Sequence, residues 1–183
     1  MDLVGPAWHR LQVAHPPAWV LRHCRCVAGL ALAMSDHAER QGLKVDRERV
    51  AAGALLHDIG RSVTQDVRHA SIGADLLRAD GWDEAVVRIV ERHTGAGITR
   101  DEAAELGLPA RDYIPQTLEE KMVCHADNLY TGDTRLLLRE LEAKYQQKRL
   151  QHAWERIRDL HEELSAVLNT DVERLQPAPL ALA

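Results

Sequence analysis

His57 and Asp58 stand side by side at the end of a run of apolar residues, with Leu55 and Leu56 before them and Ile59 after. A carboxylate set among such side chains needs a partner, because burying one alone costs on the order of 3 kcal/mol or more. A divalent cation is one partner that meets the need directly, and imidazole beside carboxylate suits Mn, Fe, Co, Ni, Zn or Mg. Four other residues of the same kind fall at inward-facing or helix-end positions. His23 lies on an apolar stripe, His69 opens a helix and His93 closes one on the same face as Val86 and Ile89. Asp127 follows the apolar stretch Met122-Val123-Cys124-His125-Ala126. Each alone has an ordinary role: a core histidine, a cation at a helix C-terminus, a salt-bridge partner. Together they compose a set of metal donors.

Helices must position these donors. Pro16 and Pro17 open a helix over 18–41, where Trp19, His23, Val27, Leu30 and Met34 recur at steps of three or four, and Gly42 ends it. Asp46 reads as the N-cap of a helix carrying Val50, Ala54, Leu55 and Leu56 to Gly60. Further helices are expected over 69–79, from Asp83 to His93, and over 117–130, with a short turn at 101–106. Residues 134–168 read as two charged amphipathic helices broken near 147–149. No alternating strand pattern of useful length occurs. The expected fold class is all-α, one unit over 1–175 with a core at about 18–131, C-terminal helices at about 134–168 and a frayed tail at 176–183.

The bulk properties set limits on function. Of the 183 residues, 45% are hydrophobic, enough for a packed core, and with no Phe that core must be mainly Leu, Val, Ala and Ile. A net charge of −5 gives no sign of the basic face used on duplex nucleic acid, so none is expected as a partner. It leaves room for a nucleotide, since a bound cation supplies positive charge locally. Three cysteines, Cys24, Cys26 and Cys124, suggest no disulfide framework, and nothing resembles a signal peptide or a membrane span. The expected location is cytoplasmic.

The string Ala54-Leu55-Leu56-His57-Asp58-Ile59-Gly60-Arg61 resembles the signature of the HD superfamily of metal-dependent phosphohydrolases. So does the order around it: His23 earlier, Asp127 later, over roughly residues 20–130. The resemblance implies a helical bundle, an HD-domain fold with a C-terminal extension. The segment His69-Ala70-Ser71-Ile72-Gly73-Ala74 and His93 are similar to members with two metal ions. Carried over, that similarity implies one site of His23, His57, Asp58 and Asp127, and a second of His69 and His93 sharing Asp58, with Gly73 leaving room for close helix packing. The His93-Thr94-Gly95 string and the stretch from Glu120-Lys121 to Ala126-Asp127 are similar, more loosely, to a bacterial branch that hydrolyses diadenosine tetraphosphate. Two departures stand out: Arg61 occupies the place of a frequent lysine, and the Gly-Tyr-Pro motif of cyclic-dinucleotide phosphodiesterases is absent after His93.

The resemblance implies a phosphohydrolase, a phosphomonoesterase or phosphodiesterase acting on a nucleotide or similar small phosphate ester through metal-activated water. Two divalent ions are expected, Mn or Fe before Mg, Co, Ni or Zn. Asp58, Arg61 and Lys121 are the expected catalytic residues, with Arg61 gripping a phosphate as a fork. His125 is an acid or a packing residue. A di-iron oxygenase and a non-catalytic metal-binding module are the alternatives. The amphipathic region 134–168 suits a partner helix as well as its own core, so a homo-oligomer is possible.

Overall fold

A computed structural model of the protein describes residues 2–180 and 182. Over these residues the fold is all-α, as periodicity predicts. The β-structure among them is a hairpin of two-residue strands and an isolated bridge between Gly95 and Gly97.

The helix that ends in His57-Asp58 is the buried centre. It is α3 (Arg47–Leu56), started by the Asp46 side chain, which accepts from the Arg49 N–H. Every residue from Val50 to Leu56 is buried. A helix apolar on all sides needs neighbours on all sides, and α3 has them in α1 (Val4–Val13), α2 (Ala18–Arg40), α5 (Glu84–Glu91) and α7 (Leu118–Asn128). The longest of these, α2, presents Val20, Val27, Leu30 and Met34 to the core with no exposed surface. It ends at Gln41, followed by Gly42 at φ 77°. Helix α4 (His69–Ala79) packs on α5 and on the 3-10 turn Ile59–Ser62. Next come α6 (Arg100–Glu105), α8 (Leu138–Gln147) and α9 (Gln151–Val167), α8 against α9 and α9 against α7.

Four features depart from the periodicity. Helix α1 was not among the expected helices; its Pro6 falls in the first turn, where the N–H groups have no intrahelical partner to lose. The hairpin of β1 (Tyr130–Thr131) and β2 (Thr134–Arg135) is too short to show alternation. Trp19, first in the apolar stripe of α2, is 38% exposed. The tail expected to fray instead lies against α2: the Ala178 N–H donates to the Gly29 carbonyl at 2.8 Å, and Leu180 packs on the core. Ala181 and Ala183 of that expected segment lie outside the described residues.

Two glycines let the turn after α3 meet α4. A Cβ added at Gly60 would stand 2.0 Å from the His69 carbonyl oxygen and 2.8 Å from the Gly73 nitrogen. Both are backbone atoms, which cannot rotate away. At Gly73 an added Cβ would come within 3.2 Å of the Gly60 nitrogen. This contact sets the distance between the 57–58 pair and His69. Gly60→Ala should therefore destabilise the fold by about 3 kcal/mol, the upper part of the range for overpacking. Urea unfolding would measure it; a loss of a few tenths of a kcal/mol would mean that the contact is not tight.

Candidate metal centre

Each of four histidines is oriented by one backbone carbonyl. His57 caps α3, and its Nδ1 lies 2.7 Å from the Ala54 oxygen. His93 follows α5, with Nδ1 2.7 Å from the Val90 oxygen. His69 starts α4, with Nδ1 2.7 Å from the Asp66 oxygen. In all three the carbonyl sits three residues earlier, and for His57 and His93 it belongs to the last turn of a helix, where carbonyls lack intrahelical partners. His23 lies mid-helix, where no such carbonyl is free. Its Nδ1 reaches 2.7 Å to the carbonyl of Gly132, at the tip of the β1–β2 turn. Gly132 takes φ 58°, which this turn position requires.

A carbonyl can only accept, so each Nδ1 carries a proton and each Nε2 is the nitrogen that can take a second proton or a metal. These Nε2 atoms converge. Nε2 of His69 and Nε2 of His93 are 3.1 Å apart. Nε2 of His23 is 2.8 Å from Asp127 Oδ1 and that of His57 is 3.5 Å from the same oxygen. Asp58 lies between the two pairs: its Oδ2 is 3.8 Å from His57 and 3.9 Å from His23, and its Oδ1 is 3.1 Å from His69 and 3.6 Å from His93. Facing lone pairs repel unless a proton or a cation lies between them. Among the described residues His57 Nε2 and Asp58 Oδ1 are buried with no hydrogen-bond partner, as the ligands of a cation would be. Three overlapping groups, His23-His57-Asp58, His57-His93-Asp127 and Asp58-His69-His93, each have donor atoms within 4.8 Å of one another. The donors therefore fit divalent metal. A bound ion would supply positive charge to phosphate oxygens and lower the pKa of a bound water.

Without metal the cluster holds protons. Burial opposes a charge on His57, but Cys24, Asp58 and Asp127 around it more than offset this and raise its pKa well above the imidazole value. Burial would raise the carboxyls, yet for Asp58 the imidazoles of His57, His69 and His93 win and hold it well below the carboxylate range. Asp127 is likewise held down by His23 and His57 against its burial. Burial pushes His93 the other way, below the ordinary value.

Arg61 reaches this cluster and Lys121 does not. Arg61 lies in the 3-10 turn rather than on a continuing helix, and its Nε is 2.7 Å from Asp58 Oδ2. One terminal nitrogen is 3.2 Å from His69 Nε2, and the guanidinium carbon sits 5.6 Å from the centroid of the Trp19 ring. Trp19 was missed as part of the site; its place on an apolar stripe concealed an exposed ring. Lys121, expected at the site, points away along α7: its Nζ pairs with Glu163 of α9 at 2.5 Å. His125 is a packing residue, with Nε2 2.9 Å from His161 Nδ1, and burial with the nearby His161 pushes its pKa down to about 3. The carbonyl of Gly132 was also missed, because it lies 109 residues from His23.

The HD domain model matches residues 20–132, more than half of the chain, and the protein belongs to the HD domain family. It is similar to a tRNA (cytidine(56)-2'-O)-methyltransferase of Picrophilus torridus, 49% identical over 84% of this chain and 44% of that one. A protein of the same name from Thermoplasma volcanium is 46% identical over 86% of this chain and 45% of its own. The chain thus spans less than half the length of these two relatives. Its fold resembles the crystal structure of the L. monocytogenes phosphodiesterase PgpH HD domain in complex with cyclic-di-AMP. The TM-score is 0.54 at 17% identity, covering 90% of this chain and 95% of that one.

These relatives correct the functional expectation. The sequence reading placed a phosphomonoesterase or phosphodiesterase of small phosphate esters here, and the relatives most of this chain aligns to are named for methylating tRNA. The local motif determines the donor set and the fold, and it does not determine which reaction a larger protein performs with them. Among the described residues no helix is long and apolar enough to cross a membrane.

If His57 is a ligand, a metal would displace the proton that its raised pKa retains, and metal affinity should depend on pH. Between about pH 6 and about 7.5, Mn²⁺ affinity should rise about tenfold per pH unit for each proton released. Calorimetry in two buffers of different ionisation enthalpy would count those protons; a pH-independent affinity with no release would contradict the assignment of His57 as a ligand.

Proposed function

We propose that this chain is the RNA-holding metal module of a tRNA-modifying protein, gripping an RNA phosphate with two divalent ions and Arg61. The observation that carries the reading is the convergence of four imidazole Nε2 atoms and two carboxylates, each imidazole fixed by a backbone carbonyl. In this reading His23, His57, Asp58 and Asp127 hold one ion, and Asp58, His69 and His93 hold the other. Supporting the bridge is Asp58, whose two oxygens face different histidine pairs. The mixed nitrogen and oxygen donors favour Mn or Fe.

The RNA follows from the relatives, both named for a tRNA. The HD domain seen with cyclic-di-AMP adds that this fold accommodates a ribonucleotide phosphate. The expectation of no duplex nucleic-acid partner rested on net charge, which a metal centre overrides locally. The donors gathered here suit cations and phosphates, so the reading gives this chain the holding of RNA and not the methyl transfer. Arg61 is already at the mouth of the cluster, stacked on Trp19, with a planar fork suited to a phosphate.

Binding of an in vitro transcribed tRNA to the Mn²⁺-loaded chain tests this. Asp58→Asn should lose most bound metal and weaken tRNA binding at least tenfold, on the scale of a charge-assisted contact of about 1.5–3 kcal/mol. Arg61→Ala should keep the metal and weaken tRNA binding by about 10- to 100-fold, the same energy. Metal content is read by elemental analysis and folding by circular dichroism. Undiminished tRNA binding in the presence of a chelator would refute the proposal.

A further inference from the structure

We propose that a cavity of about 380 Å³ beside the metal centre is a nucleobase pocket, taking the base of the nucleotide whose phosphate the metals hold. This rests on the function proposed above. The cavity lies between the segment that follows His93 and helices α8 and α9. Its lining includes Thr94, the residue after His93, and Val67, two residues before His69. Chain neighbours of both histidines of the second donor set therefore line the cavity.

The walls fit the flat, largely apolar faces of a base. Ile98, Leu106, Leu150 and Ala153 line them, and Tyr145 supplies an aromatic surface on which a base can stack. Leu106 and Leu150, both of the lining, are each 47% exposed, large apolar side chains not covered by the described residues. The volume falls within the range of about 300–1,000 Å³ usual for small-molecule sites.

Two polar groups of the lining lack partners. Thr94 Oγ1 and Arg156 Nε are both buried without a hydrogen bond among the described residues. Buried polar atoms nearly always have one, so these two mark where a ligand's polar edge belongs. Arg156 is held in place from its far end, where a terminal nitrogen donates to Glu102 Oε1 at 2.9 Å. The floor is backbone. Gly95 takes φ 61°, and nothing lies within 4 Å of the place a Cβ would occupy, so a ligand can approach the main chain there. The lining also carries two carboxylates, Glu105 and the Glu102 that pairs with Arg156, and an apolar slot edged by a hydroxyl, a guanidinium and these acids matches a base better than a second phosphate, which the acids would repel.

The test compares cytidine 5'-monophosphate with ribose 5-phosphate, which has the phosphate and sugar but no base. Both are titrated calorimetrically into the Mn²⁺-loaded wild-type chain, Leu106→Asp and Ala153→Trp. Leu106 is half exposed, so its replacement leaves the core untouched even if the bulkier Ala153→Trp perturbs folding. Wild type should bind the nucleotide at least tenfold more tightly. Both variants should lose that preference while keeping their Mn²⁺ content and their affinity for ribose 5-phosphate. Equal wild-type affinity for the two probes would overturn the pocket and leave the metal–phosphate reading standing. Failure of wild type to bind either probe would overturn both.

Discussion

Asp58 is a carboxylate in the middle of the protein. It stands at the end of a helix whose last seven residues are buried, and an ionised carboxylate there is costly unless cationic or hydrogen-bonding groups surround it. The arrangement around it follows from that one constraint. Imidazoles come from four different places: His23 from within α2, His57 from the end of α3, His69 from the start of α4 and His93 from beyond α5. Arg61 closes the remaining side. Remove the need to neutralise Asp58 and there is no reason for four helices to spend their buried surface on histidines.

The histidines also need an orientation, and three receive it locally. A helix end leaves carbonyls unused, and an imidazole placed there can take one three residues back. This is inexpensive in structure, since no distant segment has to be positioned. His23 is the exception because a mid-helix residue has no spare carbonyl nearby. The hairpin after α7 supplies it through Gly132, and the same stretch of chain carries Asp127, which Nε2 of His23 meets. One distant segment therefore orients both ring nitrogens of one histidine.

This division explains what could be read from the residues in order. The six clustered residues were legible as candidates because histidine and aspartate beside apolar neighbours need partners, and because their order resembles the HD signature. The helices were legible where caps and glycines punctuate them, as at Asp46, Asp83 and Gly42. What escaped were interactions with no local signature: the carbonyl of Gly132, the stacking of Trp19 on Arg61 and the pairing of Lys121 with Glu163. Lys121 shows the limit plainly. It lies on the same helix as Asp127 but six residues away, about 120° around the helix, and only the position of α9 reveals which acid it meets. The reaction was less legible still, because a donor set defines which cations and phosphates are held and not what a longer protein does with them.

A chain at −5 would repel a polyanion if its charges acted as an average. They do not, since many acids are already spent: Glu91 against Arg78 and Arg111, Glu120 against Arg92, Glu102 against Arg156. The cluster at Asp58 differs from these pairs because its carboxylates are neutralised by groups that can exchange protons for metal ions. Loading divalent ions there would change the local sign while the rest of the surface stays acidic. An RNA would then be drawn to one point rather than along a basic face. Such a protein would hold a single phosphate tightly and the flanking backbone hardly at all, and selection among nucleotides would fall to whatever contacts the base beside that phosphate.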